Sequence, residues 1–183
     1  MGGSRPGPAG PGSVEQGAEL TVREWLVAGA LVELDGGLLL VQNRRHDGRV
    51  DWTPPGGVID PGEAVLDGLA REVNEETGLS VSTWSDPVYE IRAEAPDMDW
   101  TLTVVVHRAL TWSGELCVAD PDGIVVDACY VATDDCHHRL AGSPQWVRDP
   151  LTAWLGERWA SSRAFGYRVE GTDPCALRVS TLP

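Results

Sequence analysis

Two apolar runs open the patterned part of the chain, Trp25 to Leu34 and Leu38 to Gln42, with Asp35-Gly36-Gly37 between them. Short runs around a glycine-permitted turn predict a β-hairpin. Asn43 to Pro55 is polar, carries Arg44, Arg45, His46 and Arg49, and reads as a loop. The period then changes to that of a helix. Val65, Leu66, Leu69, Ala70, Val73 and Thr77 share one side of a helix expected over Ala64 to Thr77. Gly78 stands where a left-handed cap ends such a helix, and Leu79 follows as its hydrophobic contact. Val88–Ala93, Leu102–Ala109 and Ile124–Val131 are strand candidates, the second apolar enough to be a buried central strand. A second helix is expected between Trp146 and Trp159, beginning near Asp149-Pro150, because proline fits a first helical turn. Tyr167–Val169 and Leu177–Ser180 suggest a short strand pair.

Strands before and after one strong helix, with another helix near the end, predict a mixed α/β layer fold. At 183 residues and 19.7 kDa the chain is the size of one domain plus a tail. Residues 1–20 are rich in Gly, Pro and Ser and offer too little apolar surface to offset ordering entropy, so they are expected to be a disordered leader. The domain is expected over 21–160 and the tail over 161–183.

Composition narrows the function. The hydrophobic share of 42% excludes a wholly disordered chain. A net charge of −14 argues against broad binding to nucleic acid or anionic membranes, while small phosphate ligands stay open if cations or local arginines neutralise them. All basic residues are arginine, so no mechanism can use a Schiff-base or Walker-type lysine. Cys117, Cys129, Cys136 and Cys175 form no C-x-x-C pair and read as reduced thiols. The first twenty residues carry no apolar signal segment, and the longest apolar stretch falls well short of the ~20 residues that span a bilayer. A soluble, cytoplasmic protein is the expectation.

The chemistry concentrates after Gly57. Glu72, Glu75 and Glu76 lie at i, i+3 and i+4, so three carboxylates share one helical face. Like charges repel at that spacing, and the last two sit at the negative end of the helix dipole. Local physics disfavours the arrangement twice, and a hard divalent cation would reverse both penalties. Gly68, one turn earlier, leaves room beside the carboxylates, and Arg71 is placed to orient Glu75. A solvated acidic face is the competing explanation.

Gly57, Glu63, Arg71, Glu72, Val73, Glu75, Glu76, Gly78 and Leu79 fill every constrained place of G-x5-E-x7-R-E-U-x-E-E-x-G-U, where U is aliphatic. A chance match in a chain this long is on the order of 10⁻⁷. The sequence thereby resembles the Nudix hydrolase superfamily, with looser likeness over about residues 20–160. That resemblance implies a Nudix-type α/β/α sandwich, a mixed β-sheet between helices in a single domain. It also implies a pyrophosphohydrolase that cleaves a nucleoside diphosphate linked to another moiety, an NTP or an ADP-ribose-like compound, with Mg²⁺ or Mn²⁺. Glu72, Glu75 and Glu76 would be metal ligands and Arg71 would orient them. Gly57 would shape the loop or ligate through its carbonyl, Glu63 would anchor loop to helix, and Gly78 would be structural. The general base would be a box glutamate or a later acid, with Glu94, Asp97 and Asp99 as candidates. Dimers are common among relatives, so a homodimer is open. The alternative is a catalytically silent nucleotide sensor of the same fold; the intact box favours the enzyme.

Weaker signals remain. Arg44, Arg45, His46 and Arg49 form the sole basic cluster and read equally as a phosphate clamp or a solvated loop. Trp52 and Trp100 are core candidates that would also serve to stack a base. Asp134-Asp135-Cys136-His137-His138 resembles a metal site in composition alone, and a surface loop is the better reading.

Overall fold

Strands that are apolar on both faces must be covered on both sides, and this requirement sets the architecture. In the third strand, Leu38 and Leu40 enter one core cluster while Leu39 and Val41 enter another. A computed structural model describes residues 22–173 and 176–183; the expected leader and Cys175 lie outside the described residues. A five-stranded mixed sheet contains β1 (Arg23–Leu31), β5 (Ser80–Ala95), β6 (Trp100–Ser113), β8 (Arg163–Glu170) and β9 (Arg178–Leu182), in the order β1-β6-β5-β8-β9. Pairing is parallel for β1 with β6 and β5 with β8, and antiparallel for β5 with β6 and β8 with β9. A four-stranded antiparallel sheet joins β2 (Glu33–Leu34), β3 (Gly37–Arg44), β4 (Val50–Thr53) and β7 (Val125–Ala132), with β3 bonded to the other three.

Helix α1 (Val65–Thr77) places Leu69 and Val73 in one cluster with Ala28, Ala30, Leu39 and Val41. The short α2 (Cys136–Arg139) and α3 (Gln145–Glu157) cover the other side, where Leu140, Leu151 and Trp154 meet Leu31, Tyr89 and Tyr167. The fold is the α/β arrangement of mixed sheet between helices that the sequence led us to expect. No helix among the described residues is long and apolar enough to cross a membrane.

Four local readings change. The first hairpin survives only at its tip, where Asp35 and Gly36 have φ of 50° and 80° and β2 meets β3. β1 instead runs parallel to β6 at the end of its sheet, buried at Ala28, Ala30 and Leu31. The loop expected from Asn43 shrinks to residues 45–49. β3 continues through Arg44 and pairs with β4, so that Asn43 faces Asp51 and Gln42 faces Trp52. β5 extends well before Val88, passing Pro87 through register shifts that spare it a ladder hydrogen bond. Helix α3 begins at Gln145 after Pro144, with Pro150 buried inside it rather than in its first turn. A proline there leaves the carbonyl four residues back unbonded, at a cost of roughly 3 kcal/mol that packing must offset.

β6 is a central strand, flanked by β1 and β5. Val106 and Ala109 are buried, whereas Leu102 and Val104 stay half-buried because they line an open cavity.

The strands β8 and β9 cover the edge of β5. A chain ending at residue 160 should therefore lose the parallel partner of Tyr89–Glu94 and uncover Tyr89 and Ile91. The expected result is a broad, non-cooperative melt by circular dichroism; a sharp transition at the full-length temperature would show that the sheet does not need them.

Candidate active site

The loop from Pro55 to Ile59 lies along β1 like an added strand. Ala30 N–H donates to the Pro55 carbonyl at 2.8 Å, Ala28 N–H to the Gly57 carbonyl at 3.0 Å, and Ile59 N–H to the Leu26 carbonyl at 2.9 Å. The contact is too close for side chains. A Cβ on Gly56, whose φ is +142°, would lie 2.1 Å from the Ala28 carbonyl oxygen. One on Gly57 would lie 2.4 Å from a Glu72 carboxylate oxygen. Gly56 is thus required by space and by backbone conformation, whereas a side chain at Gly57 would have to displace the Glu72 carboxylate.

This loop docks on α1 through carboxylates. Gly56 N–H donates to Glu76 Oε2 at 2.8 Å. Arg71 sits at the centre of the rest: its Nε and Nη2 donate to the two oxygens of Glu63 at 3.2 and 3.1 Å. Its Nη1 donates to Glu72 at 2.8 Å and Glu75 at 3.2 Å. One guanidinium therefore fixes three carboxylates, and it holds the Glu63 carboxyl below its usual range. Gly68 does not leave space for a ligand, since Glu63 and Ile59 fill it; a Cβ there would lie 2.7 Å from each. Gly78 caps the helix with φ +73°, its N–H bonded to the Asn74 carbonyl at 2.8 Å.

Glu76 is 8% exposed, and burial pushes its carboxyl up to about 8, with Glu72, Asp120 and Glu75 adding to the effect against the Gly56 hydrogen bond. Burial likewise raises Glu72, opposed by Arg71. Asp120 and Asp122, in the loop before β7, add negative charge facing Glu76 and Glu72 respectively. Asp120 also shapes that loop, accepting from the N–H groups of Asp122, Ile124 and Val125 at 3.1, 2.7 and 2.8 Å.

A divalent cation suits this donor set. A buried carboxylate facing further carboxylates is held by one backbone N–H and has no cationic partner of its own among the described residues. In these positions no three acidic, His or Cys side chains among the described residues already close into a cage. A hard ion that keeps several waters needs only one or two carboxylates in direct contact.

A cavity of about 1020 Å³ opens beside the loop. Gly56, Ala28 and Gly29 form its end nearest Glu76; Tyr89, Ile91, Leu102, Val104 and Val106 form an apolar floor. Trp146 and Val179 close the far wall, and Arg45, Arg49 and Asp47 stand at the rim. Of the basic cluster, Arg45 makes a paired contact with Asp51 at 2.7 and 2.8 Å and Arg49 bonds Asp47 at 2.7 Å. Arg44 is exposed and does not line the cavity. Trp52 is not a stacking platform. It is 7% exposed in the core beneath Arg139, whose guanidinium carbon lies 4.8 Å from the ring centroid. Trp100 packs edge-on against Trp146 at 6.4 Å, so Trp146 is the indole that faces the cavity.

The three candidate bases lie elsewhere. Arg23 of β1 pairs with Trp100, whereas the loop meets β1 at Ala28, roughly 16 Å along the strand at ~3.3 Å per residue. Asp97 accepts from Gly171 N–H at 2.8 Å, Glu94 pairs with Arg92 at 2.9 Å, and the Asp99 carbonyl accepts from Arg23 N–H. These contacts tie the β5–β6 turn together, away from the carboxylate face of α1.

The sequence profile of the NUDIX domain matches residues 24–155. The chain belongs to that family. It is 30% identical over 98 residues to the CTP pyrophosphohydrolase of Escherichia coli, covering 47% of this chain and 73% of that protein. It is 49% identical over 55 residues to a MutT-like protein of Streptomyces ambofaciens, across 30% of this chain and 34% of the other. The solution structure of the E. coli ORF135 protein superposes with a TM-score of 0.63 at 20% identity, over 79% of this chain and 100% of that one. As a NUDIX protein with pyrophosphohydrolase relatives, it is a hydrolase.

Sequence reasoning missed Gly56, Asn43, Asp51, Thr53 and Trp146. The first was legible as half of a glycine pair; Asn43, Asp51 and Thr53 were hidden because a polar stretch was read as a loop, and Trp146 because it stood only as the edge of an expected helix.

Two outcomes follow from this geometry. Glu76→Gln removes a group that on folding must take up a proton at neutral pH or be buried ionised above about pH 8, while its amide oxygen can still accept from Gly56, so in chelator at pH 7 or above its Tm should rise by ~2–4 °C, about 1 kcal/mol for a domain of this size. A fall in Tm would contradict the buried-charge account. Gly57→Ala should push Glu72 aside and weaken Mg²⁺ or Mn²⁺ binding about tenfold or more by calorimetry, with unchanged affinity as the contrary result.

Proposed function

We propose that this NUDIX hydrolase cleaves the pyrophosphate linkage of a nucleoside triphosphate in a divalent-metal-dependent reaction, with Mg²⁺ as the resident ion and Mn²⁺ as a substitute. One observation carries the reading: the cavity and the carboxylate face of α1 meet at Gly56, which lines the first and hydrogen-bonds Glu76 on the second. A nucleoside held over the apolar floor would direct its phosphates past Gly56 to Glu72, Glu75 and Glu76. Similarity to the CTP pyrophosphohydrolase of E. coli supports a triphosphate, and an ADP-ribose-like compound is the second candidate for the same chamber.

Glu72, Glu75 and Glu76 would hold the ion, which supplies charge neutralisation for the phosphates and a more acidic water. Arg71 keeps Glu72 and Glu75 in place and ties them, through Glu63, to the loop that meets the substrate. Water attacks phosphorus, a P–O bond forms as the anhydride P–O bond breaks, and the water's proton passes to a box glutamate. We place the base in the box because Glu94, Asp97 and Asp99 are bound up in the distant β5–β6 turn. Arg45 and Arg49 would steer the phosphates at the rim, each with its charge partly balanced by Asp51 or Asp47.

The test is product analysis with NTPs, dNTPs, ADP-ribose, nucleotide sugars and dinucleoside polyphosphates, with and without Mg²⁺. The expected result is metal-dependent cleavage of a triphosphate, reduced by roughly 10²-fold or more in Glu76→Gln. Binding of nucleotide without turnover by folded, metal-loaded protein would instead establish a sensor.

A further inference from the structure

Asn43 is 6% exposed and lines the cavity, and both hydrogens of its amide are engaged. Its Nδ2 donates to Asp51 Oδ1 at 3.2 Å and to Thr53 Oγ1 at 3.0 Å. The carboxylate of Asp51 accepts only, since Arg45 donates to both of its oxygens. This fixes which end of the Asn43 amide is nitrogen. The carbonyl oxygen Oδ1 has no hydrogen-bond partner among the described residues. Oδ1 is not sealed from solvent, so it stands as an acceptor of locked orientation on the cavity wall, free to take a donor from a ligand.

Resting on the reading of the chamber as a nucleotide site, we propose that Asn43 Oδ1 is a specificity-determining acceptor for the exocyclic amino group of the substrate's nucleobase. The surroundings distinguish between kinds of N–H donor. The Asp51 carboxylate beside Asn43 only accepts, so a ring N–H flanked by carbonyls, as in uracil, would bring oxygen against oxygen. An amino group projects beyond the ring edge and reaches a recessed acceptor without that conflict. Asp51, which accepts from the Asn43 amide, acts through it as a positioning residue.

The experiment compares kcat/KM for CTP, its pyrimidin-2-one counterpart lacking the amino group, and UTP, and likewise for ATP and purine-riboside triphosphate. Wild-type protein with Mg²⁺ should favour the amino-bearing member of at least one pair by about tenfold or more, chiefly through KM, because the analogue leaves Oδ1 unpaired. Asn43→Leu should abolish that preference by raising KM for the amino-bearing substrate toward that of the analogue, with a wild-type-like far-UV circular dichroism spectrum as the check that the variant is folded. Equal use of amino and deamino substrates by wild type, or a preference that survives in Asn43→Leu, would overturn the assignment of Asn43 alone. The wild-type comparison decides even if the variant does not fold. Failure of wild type to cleave any triphosphate would overturn the parent reading as well.

Discussion

The hydrogen bond from Gly56 N–H to Glu76 is the contact on which the site depends. It puts a buried carboxylate against the only backbone that can approach it, and it does so because two consecutive glycines let the loop lie flat on β1. A side chain at either position would collide with the Ala28 carbonyl on one side or the Glu72 carboxylate on the other. Loop, strand and helix are thus spaced by the absence of atoms. The carboxylate face of α1 inherits its position from β1, whose Ala28 and Ala30 are fully buried where the loop meets them.

Charge is arranged in the same economical way. Arg71 satisfies Glu63, Glu72 and Glu75 with one guanidinium, leaving Glu76 as the carboxylate that burial and its neighbours disfavour in ionised form. A planar fork with five donors can serve three partners where an ammonium would serve them with less fixed geometry. The loop before β7 then adds Asp120 and Asp122 rather than a compensating base. The whole face is left negative, unlike an ordinary helical ion-pair ladder, in which each carboxylate meets a cation.

Much of this was legible in the sequence, and for identifiable reasons. The box spacing places Glu72, Glu75 and Glu76 on one face because helical geometry is local. Gly78 announces the cap because only glycine takes that φ readily. What was illegible depended on distant partners. Asn43 and Asp51 look like loop residues because polar side chains in a strand normally face water; here they face a cavity whose floor comes from β5 and β6. Pro87 and Pro150 read as boundaries, yet tertiary packing carries a strand past one and a helix past the other. Trp52 looked available for stacking until β4 turned it inward. Glu94, Asp97 and Asp99 are near the box in sequence, but the long β5–β6 hairpin carries them away from it.

The parallel pairings of β1 with β6 and β5 with β8 have a consequence for how the molecule comes together. Each requires a long stretch of chain to be looped out before its first contact forms, the slow and entropically costly kind of closure. The chamber floor is made of these late-meeting strands, so Tyr89, Ile91 and Val106 lie bare in any partly assembled chain. Any ligand that fills the finished chamber binds only the assembled form and draws the folding equilibrium toward it by mass action. The supply of such a ligand and the population of folded protein are therefore coupled quantities.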